Sequence, residues 1–158
     1  MKKSIIIICF IIAIITGCNL NNNPTSKVEE LLGKYQGLDK KIVYDYTLLT
    51  NDTTLSNEQI KEYNDVIKKQ YRNMSYEVKE EKIDGDTATI TTEIEVINYK
   101  KVLDESKESD HKTIIKELNH TKNKTTYTID FTVTKNKKGK WIIDPITEEQ
   151  KLKLLGVY

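Results

Sequence analysis

The chain has 158 residues, with 25 basic against 24 acidic side chains, a formal charge of +1 and 37% apolar residues. That length suits one domain with a small core and excludes a large enclosed one. A balanced charge in which Arg72 is the sole arginine gives no electrostatic reason to seek nucleic acid, so no nucleic-acid partner is expected.

Residues 1–17 read as a targeting segment. Lys2 and Lys3 form a positive start, and Ile5 to Ile15 is an unbroken apolar run that includes Cys9. The run is too short to span a bilayer comfortably and fits the apolar region of a leader. It ends in Ile15-Thr16-Gly17-Cys18, which resembles the bacterial lipobox. The resemblance implies a thioether-linked diacylglycerol on Cys18 and cleavage just before it. The expected location is therefore the extracytoplasmic face of the cell membrane, with the lipid as membrane partner. Cleavage would take Lys2, Lys3 and Cys9 away, leaving 23 basic against 24 acidic residues and no free thiol in the folded part. A mature extracytoplasmic fold without disulfides must rely on packing alone.

Residues 18–24 form the lipidated cysteine and a polar, Asn-rich tether, and residues 25–158 form a single domain. The pattern Ser26-Lys27-Val28-Glu29 predicts a capping box and a helix beginning near Ser26. Val28, Leu31, Leu32 and Tyr35 make its apolar stripe, and Gly37 its stop. Ile42, Val43, Tyr46 and Leu49 suit a second short helix. Asn51 to Thr54 is a loop. Ser56 to Gln59 is another capping box, opening a helix whose buried stripe is Ile60, Tyr63, Ile67 and Tyr71, with a staple between Leu55 and Ile60.

Tyr76 to Tyr99 reads as strand, turn and strand about Asp84-Gly85. Ala88, Ile90, Thr92, Ile94 and Val96 alternate with Thr87, Thr89, Thr91, Glu93 and Glu95, the mark of an antiparallel strand wet on one face. Lys100 to Lys124 reads as a largely exposed helical excursion broken near Ser109, with Leu103, Ile114 and Leu118 on one face. A second hairpin follows. Tyr127, Ile129, Phe131 and Val133 point one way, Asn136 to Gly139 turns, and Trp141 and Ile143 oppose Ile142 on a short strand ended by Pro145. Thr147 to Gln150 is a third capping box before a terminal helix that stops at Gly156. The fold class is α+β, with a four-stranded antiparallel sheet packed against N-terminal helices.

Catalytic sets are not evident. His111 and His120 lie nine apart in a polar segment and lack the converging ligands of a metal site. There is no phosphate loop, no His-Glu-x-x-His and no Gly-x-Ser-x-Gly. Asp84 and Asp86 flank Gly85 but lack the remainder of a calcium loop. No catalytic residue, cofactor or metal is therefore assigned. The aromatics Tyr35, Tyr63, Tyr71 and Trp141 are candidate lining for a ligand pocket between helices and sheet.

The segments Gly85-Asp86-Thr87-Ala88-Thr89-Ile90 and Lys138-Gly139-Lys140-Trp141-Ile142-Ile143-Asp144 resemble those of small lipoproteins of low-GC Gram-positive bacteria. Those proteins are similar to the cystatin-like or nuclear transport factor 2-like superfamily. The resemblance, from Pro24 to Tyr158, implies a curved antiparallel sheet wrapped around helices. Enzymes of that superfamily keep acid–base residues inside the cone, and no such set is placed here. The expectation is a non-catalytic binding or interaction module with a protein partner at the cell envelope. The alternative is a small enzyme or ligand carrier using the aromatic pocket.

Overall fold

A computed structural model describes residues 22–158; the leader, Cys18 and the tether up to residue 21 lie outside the described residues. Ten elements follow in order: α1 (Pro24–Gln36), a 3-10 turn (Tyr46–Leu48), α2 (Asn57–Asn73), β1 (Ser75–Asp84), β2 (Thr87–Ile97), α3 (Tyr99–Glu105), α4 (His111–His120), β3 (Lys124–Lys135), β4 (Trp141–Ile143) and α5 (Glu148–Leu155). The fold is α+β, and its one sheet is antiparallel and open, in the order β1-β2-β3-β4.

Helix α1 begins two residues before Ser26. Asn23 is its cap, accepting from the Ser26 N–H at 2.6 Å, and Pro24 fills the first turn, where no N–H is needed. The Glu81 carboxylate on β1 adds a second clasp, accepting from the Thr25 N–H at 3.1 Å and from its hydroxyl at 2.5 Å. The helix exit is a Schellman arrangement, with Asp39 N–H on the Lys34 carbonyl and Leu38 N–H on that of Tyr35. Gly37 stops the helix, yet the left-handed residue is Leu38, with φ 52°, because Leu38 packs against the core there.

The expected second helix is only the 3-10 turn. Asp39 and Asp45 accept from the N–H groups of Lys41 and Thr47, offering the backbone local bonds in place of helical ones. Val43 is left 81% exposed, while Leu49 is buried. In α2 both arms of the Ser56–Gln59 capping box form, and Tyr63, Ile67 and Tyr71 are buried as expected, with Ile60 only half-buried.

The first hairpin has the expected strands, with a turn shifted by one residue. Asp84 pairs with Thr87, so the two loop residues are Gly85 and Asp86, and only Gly85 has a positive φ, 59°. A first-position glycine is the signature of the tight hairpin turn that follows strand twist. Along β2 the five predicted inward residues are buried, and the threonine and glutamate face is open to half-open. Lys79 interrupts the β1 register as a bulge between Val78 and Glu80.

The excursion is two helices, α3 and α4, divided by residues 106–110, with Asp110 capping α4 through the Thr113 N–H. It is less exposed than its polar sequence suggests. Tyr99, Val102, Ile115 and Leu118 are buried, and α4 lies against α2 and α3. Of the expected face Leu118 is buried, while Leu103 and Ile114 are half-buried against the core and their neighbours Val102 and Ile115 are buried more deeply.

The second hairpin turns at Asn136–Gly139, where the Asn136 carboxamide accepts from Lys138 and Lys140 and Gly139 takes φ 71°. Strand β4 covers only three residues of β3. Helix α5 lies beside the remaining β3 edge. Gln150 donates to the Asp130 carbonyl at 2.7 Å and Lys153 to that of Thr128 at 3.4 Å. Both arms of the Thr147–Gln150 capping box form, and Gly156 ends the helix at φ 76°.

The core between helices and sheet holds Val28, Leu32, Tyr63, Ile67, Ile90, Ile94, Phe131 and Leu155, all buried. Gln70 and Thr92 are fully buried polar residues within it. The Gln70 carboxamide is fully buried and fully bonded. It accepts from the Ile97 N–H at 2.9 Å and donates to the carbonyls of Ile97, at 2.7 Å, and Leu155, at 2.6 Å. Asn98 turns its N–H to the carbonyl of Asn123, just before β3, so the Ile97 amide faces the other edge, beyond Ser75, where β1 supplies no partner. Gln70 takes the place of the missing strand residue.

Thr92 is also fully buried, but its hydroxyl has no partner. An unpaired buried polar group costs about 1–3 kcal/mol, and valine keeps the same branched shape. Thr92→Val should therefore stabilise the fold by about 1 kcal/mol in urea denaturation. An unchanged or lowered midpoint would mean that the hydroxyl has a partner in solution.

Candidate functional site

The four aromatics named from sequence do not form one pocket. Tyr35, at the end of α1, meets Tyr71, near the end of α2, edge-on at 4.9 Å between ring centroids, and Tyr44 leans on Tyr71 at 6.4 Å. Burial raises the hydroxyl pKa of both Tyr35 and Tyr71, so these phenols stay neutral and serve as apolar walls with a polar tip. Together with Lys41, Ile42, Val43, Asp45, Leu48 and Lys151 they line a surface cleft of about 220 Å³.

Tyr63 sits two helical turns before Tyr71, about 12 Å along α2. It is buried against His111, edge-on at 5.2 Å. Trp141 lies over a separate cleft of about 270 Å³, with Lys27, Glu30, Leu31, Lys34, Ile142 and Ile143. Its ring carries the Lys135 ammonium at 4.7 Å from the centroid. Between helices and sheet, where a shared pocket was expected, the space is occupied by core side chains.

The histidines lie at opposite ends of α4, about 14 Å apart along a ten-residue helix. His111 Nε2 meets the Glu62 carboxylate at 2.7 Å, tying α4 to α2, and its Nδ1 is buried without a partner. His120 Nδ1 bonds the Lys116 carbonyl within the same helix. That separation prevents both from reaching one ion, and among the described residues no three metal-ligating side chains converge. Asp86, at the hairpin turn, pairs with Lys135 at 3.1 Å. Asp130 accepts from the Thr91 hydroxyl across the open sheet face, and Asp144 from Thr134.

Sequence reasoning passed over a third cleft, of about 360 Å³, between the end of α2 and the α4–β3 link. Its lining includes Lys69, Asn73, Ile97, His120, Lys122 and Lys124. Lys69 is tied to the Asn119 carbonyl and Lys124 to Glu95, which leaves Lys122 without an ion-pair partner among the described residues. Lysines scattered through a polar link carry no periodic signal, so nothing in the sequence marks them as neighbours. Val43 was misplaced as well: the spacing of Ile42, Val43, Tyr46 and Leu49 put it on a helical stripe, whereas it stands 81% exposed.

The tyrosine cleft has the clearest chemical character. Aromatic walls and an exposed valine offer apolar contact, while Lys41, Lys151 and Asp45 supply charge at the rim. Its volume lies below the roughly 300–1,000 Å³ usual for small-molecule sites and suits one inserted side chain. Among the described residues no helix is long and apolar enough to cross a membrane. No family model, curated protein or solved structure matches this chain.

Proposed function

We propose that this chain is a lipid-anchored extracytoplasmic lipoprotein whose folded part is a non-catalytic interaction module. In this reading Cys18 carries the lipid, and the tyrosine cleft takes a side chain from a protein partner at the cell envelope. The finer fold we propose is cystatin-like or nuclear transport factor 2-like. Support for it comes from a bulged antiparallel sheet with helix α1 lying against all four strands. The observation that carries the anchor is Ile15-Thr16-Gly17-Cys18 behind an apolar run and two lysines. The binding role is supported by the modest, aromatic-walled cleft lined by the exposed Val43.

Two measurements test this. Wild-type protein should incorporate labelled fatty acid and lose its leader, and Cys18→Ala should do neither. Continued labelling of Cys18→Ala would refute the anchor. A photo-crosslinker placed at position 43 should capture one defined envelope partner that a probe at Ile83, another exposed apolar residue, does not. Turnover of a wall or peptide substrate by the purified protein would overturn the non-catalytic role.

A further inference from the structure

The point where the tether enters the fold is fixed by two bonds. The Asn22 side chain accepts from the Trp141 N–H at 3.1 Å, and Asn23 caps α1. Trp141 directly follows the β3–β4 turn, and Thr25 is held to Glu81 near the β1–β2 turn. Both hairpin turns and the tether entry therefore share one end of the molecule. Cys18 is four residues before Asn22, so even a fully extended tether spans only about 14 Å.

That end carries a run of lysines: Lys135, Lys137, Lys138 and Lys140, within six residues of sequence. Lys135 is neutralised by Asp86 at 3.1 Å. The other three are exposed, with no ion pair among the described residues. Nearby carboxylates are mostly engaged: Glu81 by Thr25, Glu30 by Lys27 and Lys34, and Asp144 by Thr134. Glu81 and Asp144 hold only neutral hydrogen-bond donors, so with Asp84 they are the opposing charges without an ion pair among the described residues, and none of the three lies in the Lys137–Lys140 turn itself. Ile142, 48% exposed, lies beside the turn and adds an apolar contact.

We propose that the β3–β4 turn is a membrane-docking surface, with Lys137, Lys138 and Lys140 resting on anionic lipid headgroups and setting one orientation of the domain. This rests on the lipid-anchor reading of Cys18. A tether of at most about 14 Å lets the lysines come within one Debye length of the headgroups, about 8 Å at physiological salt, where their attraction is not screened out. Each lysine near an anionic surface strengthens attachment by roughly fivefold. Acyl chains supply the residence time, so the lysines act on orientation. The tyrosine cleft includes Lys41, beyond the opposite end of α1, about 20 Å from the docked end, and so points away from the bilayer toward a partner.

Trp141 is the single tryptophan and sits beside this surface, so it reports the orientation directly. The experiment uses the full mature lipoprotein in vesicles with a dansyl-labelled headgroup. Energy transfer from Trp141 should be stronger in phosphatidylglycerol–phosphatidylcholine vesicles than in phosphatidylcholine alone. High salt, or the Lys137→Glu, Lys138→Glu, Lys140→Glu triple variant, should abolish that excess. Lys40→Glu with Lys41→Glu, two charge reversals at the far end of α1, should leave it intact. Equal transfer in both lipids by an acylated, vesicle-bound protein would overturn the orientation alone. A mature protein whose mass shows no acyl chains would overturn the anchor reading and this inference with it.

Discussion

Gly156→Ala should destabilise the protein by about 4 kcal/mol. The backbone at Gly156 has φ 76°, a left-handed conformation that costs a side-chain-bearing residue about 1–2 kcal/mol. Space is the larger obstacle. A Cβ there would stand 2.1 Å from the Ile97 carbonyl oxygen and 2.6 Å from Gln70 Nε2. One of those is rigid strand backbone, so the end of α5 must move away from β2. Moving it pulls apart the Gln70 bond to Leu155 and the bond from Lys100 N–H to the Gly156 carbonyl. Overpacking and broken buried bonds each add about 1–3 kcal/mol. Urea denaturation is the measurement, with Gly33→Ala as control. A Cβ at Gly33 meets nothing within 4 Å, so alanine there should raise stability by about 0.5–1 kcal/mol. Equal midpoints for Gly156→Ala and wild type would show that the α5 exit is not packed on Ile97.

Gln70→Leu should cost a comparable amount, about 3–5 kcal/mol, although leucine fills similar volume and suits a helix. The loss is entirely polar. The Ile97 N–H and the carbonyls of Ile97 and Leu155 would stay buried without partners, at about 1–3 kcal/mol each before relaxation. Against a typical total of about 5–15 kcal/mol this is a large share. Gln70→Glu separates the roles of the two amide ends. A carboxylate can still accept from Ile97 N–H, but it would repel the two carbonyls, so Glu should also be destabilising near neutral pH. Because Gln70 and Gly156 share one network, the Gln70→Leu, Gly156→Ala double variant should lose less than the two single losses added. Strict additivity would show that the two residues act independently.

Most of the sheet was legible because period-two patterning is a local signal. Thr87 to Val96 alternates with Thr92 as the one polar residue on the inward face, and burial follows that alternation. Capping boxes were legible for the same reason, and those at Ser56 and Thr147 form. The box at Ser26 does not, because Asn23 and Pro24 make a better start two residues earlier and Glu81 reaches over from β1 to serve Thr25. That competitor lies 56 residues away, and no window along the chain contains it. Gln70 was hidden in the same way. A glutamine on a helix reads as surface, and only the end of β1 at Ser75 creates the unpaired strand amide that it serves. At the candidate site, Tyr35 and Tyr71 come together because α1 and α2 finish side by side, whereas Tyr63 belongs to a different turn of α2 and Trp141 to another edge. Helical spacing told that these rings face inward, but not which of them would meet.

Helix α5 bears on how the protein behaves when crowded. Strand β3 runs twelve residues and β4 shields only three, so its bare margin would be a template for another chain's strand were Gln150 and Lys153 not occupying the carbonyls of Asp130 and Thr128. A proteolytic nick that freed the last dozen residues would unmask that margin and invite chain-to-chain stacking. At the opposite border the bulge at Lys79, with Glu80 and Lys82 beside it, discourages the same event. Helix α5 thus works as a seal on the β3 edge against strand-to-strand self-association.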